Sequence, residues 1–231
     1  SAGCIVNDIL DRKYDILVER TKNRPIASGK ISVNLSLVYV VILCSLSFFI
    51  LIQFNFTTIL LGLASMPFAF SYPLMKRFTY WPQLFLGFTF NYGLIMAWFS
   101  INPEFNYIPL VFYLGAIFWT LAYDTIYGFQ DIKDDEIIGV KSTSIKFKRN
   151  PKIFIFVCYL IFILIQVATG ILMDFKYYYY IGLIIIAGQL LIFQIFNLDT
   201  KNQNICLEKF KSNNFLGFLV FLNILINKIY V

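Results

Sequence analysis

Long apolar runs separated by short polar stretches set the pattern of this chain. Seven of them, at about 33–52, 57–75, 82–100, 107–128, 153–172, 177–197 and 213–230, have the length a bilayer-crossing helix requires. An apolar stretch at 1–10 resembles the tail of a further span, and it runs directly into a cluster of charge. The alternation of a membrane β-barrel is absent. The pattern therefore predicts an all-α, polytopic transmembrane helical bundle, folded as a single domain over 1–231. Because the chain begins at Ser1 inside an apolar stretch, an N-terminally truncated chain that has lost its first helix or helices is expected. Pro67 falls inside a span and is expected to kink it, since proline removes a backbone donor. The run Tyr177 to Tyr180 opens another span and is expected to form an interfacial aromatic belt.

Composition agrees with the pattern: 59% of residues are hydrophobic and 14% charged. The net charge of +6 would suit nucleic acid, but its distribution argues for topology instead. Of the 19 Lys and Arg residues, 17 fall in alternate polar segments, at 12–30, 76–77, 131–152 and before the last span. Only Lys176 and Lys228 fall on the other side. Positive residues stay on the cytoplasmic side, or its organelle equivalent. No nucleic-acid partner is expected; the lipid bilayer is.

The four cysteines, Cys4, Cys44, Cys158 and Cys206, have no CxxC spacing and read as small buried hydrophobes. There is no histidine, which excludes Ser-His-Asp triads, histidine bases and the usual zinc sites.

Candidate chemistry concentrates in the acidic residues. Seven of the 13 lie in two stretches at the ends of apolar helices, Asn7 to Asp15 and Tyr123 to Asp135. At about 100° per residue, Asp8, Asp11 and Asp15 fall within roughly 60° of one another on a helix, and Asp124, Asp131 and Asp135 within roughly 40°. Tyr127 and Asp134 flank the second stripe. Two facing stripes would converge on one site. Carboxylates so arranged suit Mg²⁺, which completes its shell with substrate phosphates. That points to a membrane enzyme acting on a lipid diphosphate. The bland account of the first cluster is a solvated helix end. Asp124 follows an apolar run and lies within the membrane boundary, where an ionised group costs about 2–3 kcal/mol or more. Its bland account is a hydrogen-bonded carboxyl joining two helices. For the basic residues Arg24, Lys76, Arg77 and Lys141 the bland account is sidedness alone. A secondary transporter is the remote alternative; it would place its acids near the midplane rather than at one face.

The residues Asn7-Asp8, Asp11-Arg12-Lys13-Tyr14-Asp15 and Arg20-Thr21, Arg24-Pro25, Ser28-Gly29 resemble the NDxxDxxxD and RTxxRPxxSG motifs of the UbiA family of intramembrane prenyltransferases. So do Tyr72-Pro73-Leu74-Met75-Lys76-Arg77, followed by Trp81-Pro82-Gln83. The run Tyr123-Asp124-Thr125-Ile126-Tyr127, Gln130-Asp131, Asp134-Asp135 and Gly139-Val140-Lys141-Ser142-Thr143 resembles the pattern of the branch that acts on 4-hydroxybenzoate. The likeness extends essentially end to end. It implies a nine-helix fold, of which seven full spans and part of one are present here. It implies Mg²⁺-dependent transfer of a polyprenyl group from polyprenyl diphosphate to C3 of 4-hydroxybenzoate, in ubiquinone biosynthesis. Another aromatic acceptor within the same family is the alternative. The resemblance assigns metal binding to Asn7, Asp8, Asp11, Asp15, Asp131, Asp134 and Asp135, and diphosphate binding to Arg24, Lys76, Arg77 and Lys141. It assigns catalytic contact to Asp124, Tyr127, Asp131 and Asp135. It places the protein in a bacterial inner or mitochondrial inner membrane, both acidic motifs on the cytoplasmic or matrix side.

Overall fold

A computed structural model describes residues 2–19 and 21–229. Ser1 and Arg20, both part of the motif reading, lie outside the described residues, as do Tyr230 and Val231. The described chain is all-helical. Helix α1 (Ala2–Asp15) leads through a turn-rich segment to α2 (Val33–Leu51) and α3 (Phe56–Ser71). A 3₁₀ turn at Tyr72–Leu74 joins α3 to the short α4 (Met75–Phe78). Then follow α5 (Pro82–Phe90), α6 (Tyr92–Ile101), α7 (Ile108–Gly128), α8 (Ile132–Ile138), α9 (Thr143–Lys146) and α10 (Pro151–Leu172). Helix α11 (Tyr177–Gly188) continues as a π-helical segment, Gln189–Phe196, before α12 (Gln203–Ile229). Seven helical segments of the described residues are long and apolar enough to cross a membrane, and they coincide with the seven apolar runs.

Local chemistry sets the boundaries. Ser32 caps α2, its hydroxyl accepting from the Leu35 N–H at 3.2 Å. Asn55 caps α3 through Thr58 N at 3.0 Å, and its amide also donates to Phe99 O at 2.7 Å. One side chain thus ties the start of α3 to the end of α6. Prolines at the first turns of α5, α7 and α10 sit where no intrahelical N–H is needed.

The core lies among α7, α10, α11 and α12, where Ile117, Ala122, Ile126, Tyr159, Phe162, Ile186, Leu190 and Leu216 are buried. Helix α2 instead turns apolar side chains outward, with Val41 64% and Phe49 66% exposed, as a lipid-facing helix must. Within the core, polar side chains pair with one another, since hydrocarbon offers no partner. Asn213 Oδ1 accepts from Trp119 Nε1 at 2.8 Å and from Gln194 Nε2 at 3.1 Å, and the Tyr159 hydroxyl donates to Gln194 Oε1.

Three expectations change in detail. The span at 82–100 is two helices broken at Asn91, whose amide donates to Gly87 O, Ala116 O and Thr120 Oγ1. The tyrosine run is not a uniform belt: Tyr177 and Tyr178 are exposed, but Tyr179 is buried and bonded to Gln166. A helix that opens at a membrane face still turns one side inward. The second acidic cluster is not one helix. Helix α7 stops at Gly128, and Asp131 opens α8.

Candidate active site

The turn after α7 decides the site. Asp124 sits one turn before the end of that helix; Asp131, Asp134 and Asp135 are carried by the start of α8. Gly139 ends α8 in the left-handed conformation, φ 81°, which an L side chain rarely adopts. The chain then doubles back toward α5 and α7.

Helix α1 lies across from this turn. The two arms close on a cavity of about 280 Å³ lined by Asn7, Asp11 and Asp15 from α1, Asp124 and Tyr127 from α7, and Asp131 and Asp135 beyond it. Arg24, Lys76 and Lys141 line the same cavity, as do Tyr72, Gln83 and Ser142. The two acidic clusters therefore meet at one cavity, although the second is not a stripe on one helix. Three candidates lie outside the lining. Asp8 pairs with Arg24 beside it, Arg77 packs behind α1, and Asp134 faces a separate opening with Lys13 and Tyr14.

The carboxylates of α1 are engaged by cations from elsewhere in the chain. Arg24 Nη1 bridges Asp8 Oδ1 at 3.0 Å and Asp15 Oδ2 at 3.1 Å. Lys76 Nζ donates to Asp11 Oδ2 at 2.5 Å. Arg77 donates to Leu10 O at 2.8 Å, lies 5.3 Å from the centre of the Tyr14 ring, and approaches Asp11 Oδ1 at 3.8 Å. Asp11 is only 2% exposed, and its Oδ1 accepts no hydrogen bond. Burial pushes the Asp11 carboxyl above its ordinary value, and the neighbouring Asp15 adds to that. Lys76 and Arg77 pull the other way.

Among the described residues no three Asp, Glu, Cys or His side chains form a ready-made metal cage. The donor chemistry nevertheless fits a hard divalent cation. Carboxylates from two arms, the Asn7 amide and the unfilled Asp11 Oδ1 all face or adjoin one cavity. Mg²⁺ characteristically takes one or two carboxylates and fills its remaining positions with water and substrate phosphate.

Tyr127 stands between the charged end and the aromatic interior. Its ring lies 4.4 Å from that of Phe210 on α12, and Phe210 also meets Tyr123 edge-on at 5.7 Å. Phe210, to which the sequence pattern gives no role, backs Tyr127 without lining the cavity. Nothing local marks a phenylalanine in an apolar helix, and only the packing of α12 on α7 brings it there. Gln83 and Ser142 were present in the motifs but had no role; both line the cavity.

Comparison with known proteins gives a consistent answer. The family model for the UbiA prenyltransferase family matches residues 1–223. The 4-hydroxybenzoate polyprenyltransferase, mitochondrial, of Rattus norvegicus is 40% identical over 232 residues, covering 99% of this chain and 61% of that protein. The protein of the same name from Dictyostelium discoideum is 41% identical over 231 residues, covering 99% of this chain and 50% of its own length. The 4-hydroxybenzoate geranyltransferase 2 of Lithospermum erythrorhizon is 40% identical, covering 99% and 75%. The chain spans 50% to 62% of the length of the mitochondrial relatives it matches. Among solved structures, the apo structure of a UbiA homolog from Aeropyrum pernix K1 matches with a TM-score of 0.83 at 20% identity, over 98% of this chain and 84% of that one. A structure of digeranylgeranylglyceryl phosphate synthase matches at 0.72 and 19% identity, over 100% and 81%. These two likenesses establish the fold.

Proposed function

We propose, for a chain that belongs to the UbiA prenyltransferase family, that it transfers a polyprenyl group from polyprenyl diphosphate to C3 of 4-hydroxybenzoate. The observation that carries the reading is the cavity itself. It brings four cluster carboxylates, one intramembrane carboxyl and three cations to the end of an apolar bundle. Only a substrate with a highly charged head and a long apolar tail uses both halves. The names of the relatives supply the acceptor.

In this reading the diphosphate enters between the arms. Arg24, Lys76 and Lys141 offer it charge-assisted hydrogen bonds. Asn7, Asp11, Asp15, Asp131 and Asp135 would hold Mg²⁺, with Asp8 and Asp134 beside them. Bound there, Mg²⁺ supplies charge neutralisation of the leaving diphosphate. The allylic C–O bond breaks and its electron pair leaves with the diphosphate. Tyr127 lines the cavity, and its ring would stabilise the resulting allylic cation by cation–π contact. C3 of the acceptor, ortho to the hydroxyl, forms the new C–C bond. The ring then loses the C3 proton, which the Asp124 carboxylate would accept, and aromaticity returns. The apolar side chains that share the lining, Val18, Leu86, Ile138 and Val140, would limit the water that could quench the cation. By the positive-inside rule, the basic segments favour the cytoplasmic or matrix side of an inner membrane for both arms. The mitochondrial names of several relatives favour the latter.

The test is an assay in membranes carrying the protein, with 4-hydroxybenzoate and a polyprenyl diphosphate, in Mg²⁺ against EDTA. Metal-dependent 3-polyprenyl-4-hydroxybenzoate is expected. Product from a different aromatic alone would move the acceptor assignment. No prenylation of any acceptor by well-inserted protein would overturn the reaction.

A further inference from the structure

Some of the most buried polar side chains in the molecule touch neither of the proposed charged partners. Thr125, Thr143 and Ser144 are 0% exposed, and Gln83 is 7% exposed. They come from three elements: α5, α7 and the segment that follows α8. All four lie next to the cavity. Thr125 follows Asp124, Gln83 lines the wall, and Thr143 and Ser144 follow Lys141 and Ser142, which also line it.

Their hydrogen bonds form one connected set. Gln83 Oε1 accepts from the Thr143 N–H at 3.0 Å. Thr125 Oγ1 donates to Leu121 O at 2.6 Å, which uses its only proton. Its 2.6 Å contact with Thr143 Oγ1 therefore has Thr143 as donor. Ser144 Oγ donates to Thr125 O at 2.8 Å. Ser142 caps α9 through Ile145 N at 3.2 Å. Just upstream, the Lys141 N–H donates to Lys76 O at 2.8 Å, and Lys141 Nζ to Phe78 O at 3.2 Å. Gly128 permits the approach: a Cβ there would collide with Ser144 Oγ. None of these bonds joins two charges, so each persists when the charges in the cavity are rearranged.

We propose that Gln83, Thr125, Thr143 and Ser144 are positioning residues, forming a neutral clamp that fastens the segment after α8 to α5 and α7. The clamp holds Asp131 and Asp135 at a set height over the cavity. Through Lys141 it also keeps them in register with Lys76, which reaches the opposite arm. The acidic and basic halves of the site then behave as one rigid rim when the diphosphate arrives. The catalytic consequence rests on the prenyl-transfer reading; the clamp itself does not.

Thr143→Val keeps the shape and deletes the donor. Thr143→Ser keeps the donor and serves as the rescue. Ser144→Ala removes one hydroxyl with little change of volume, and stands in if the valine variant does not insert. Hydrogen–deuterium exchange of the protein in detergent reads the clamp without any reaction. In Thr143→Val the 139–147 peptide should exchange about tenfold faster, with the α10 peptides unchanged, and Thr143→Ser should restore protection. In the membrane assay, kcat/KM should fall about tenfold, with KM for the diphosphate raised and KM for 4-hydroxybenzoate unchanged. Unaltered exchange in both Thr143→Val and Ser144→Ala overturns the proposal. So does protection lost evenly across the helices, with activity that serine does not rescue. A protected segment in a wild-type protein that transfers no prenyl group overturns the reaction and leaves the clamp standing.

Discussion

On α1, the carboxylates of Asp8, Asp11 and Asp15 meet Arg24 and Lys76 in ion pairs no longer than 3.1 Å. Across the cavity, the segment after Asp135 is fastened by Gln83, Thr125, Thr143 and Ser144, which carry no charge. The two arms face the same cavity but are held by different physics. Ion pairs are exchangeable: in the proposed reaction a diphosphate would compete for the cations and a metal ion for the carboxylates, and salt weakens the exposed ones. Buried neutral hydrogen bonds respond to neither. One arm is thus built to change partners while the other keeps its place. A site that must accept several charges at once needs both kinds of support.

The comparison can be broken first at the carboxylates. Asp11→Ala or Asp131→Ala should reduce Mg²⁺-dependent prenylation to background while membrane insertion persists, as product analysis and fractionation would record. Near-normal activity in both would remove the ligand assignment for either arm. The next largest effect is expected at Lys76. Lys76→Ala should raise KM for the diphosphate by an order of magnitude or so, as loss of a charge-assisted hydrogen bond does. It also leaves Asp11 buried without its nearest cation, so thermal unfolding in detergent should move to lower temperature. An unchanged KM would confine Lys76 to the resting protein. Raising ionic strength sharpens the same contrast. The diphosphate KM should climb with salt, while exchange protection of 139–147 stays constant.

Smaller effects are expected away from the charges. Phe210→Leu removes the ring packed on Tyr127 and should lower kcat by roughly threefold to tenfold, as the loss of an aromatic pair would. The KM for diphosphate should not move. The least effect is expected at Lys141, whose ammonium is spent on Phe78 O and the Tyr80 ring, 5.6 Å from its centre. Lys141→Ala should change the diphosphate KM about twofold to threefold. No change would reduce its part to topology.

Much of the site was legible from local pattern. The acids of α1 share a helix face because their spacing follows the helical repeat, and Asp11 and Asp15 do line the cavity. For the second cluster the helical repeat does not hold: α7 stops at Gly128, and the turn rather than the repeat brings Asp131 and Asp135 to the cavity. Asp134, one position away, is turned to another opening. Tyr179 shows the same limit, since four identical residues in a row carry no sign of which one will be buried.

The sequence by itself determined the helical class, the number of apolar spans and the two acidic arms. Each follows from composition or from spacing within one element, where hydropathy and the helical repeat act locally. The tertiary structure alone decided which cation meets which carboxylate, where α7 ends, and that Gln83 would bond to Thr143, far along the chain. Those choices depend on how helices pack against one another. A buried polar group takes whichever partner the packing supplies, and nothing in its own neighbourhood of the sequence names that partner.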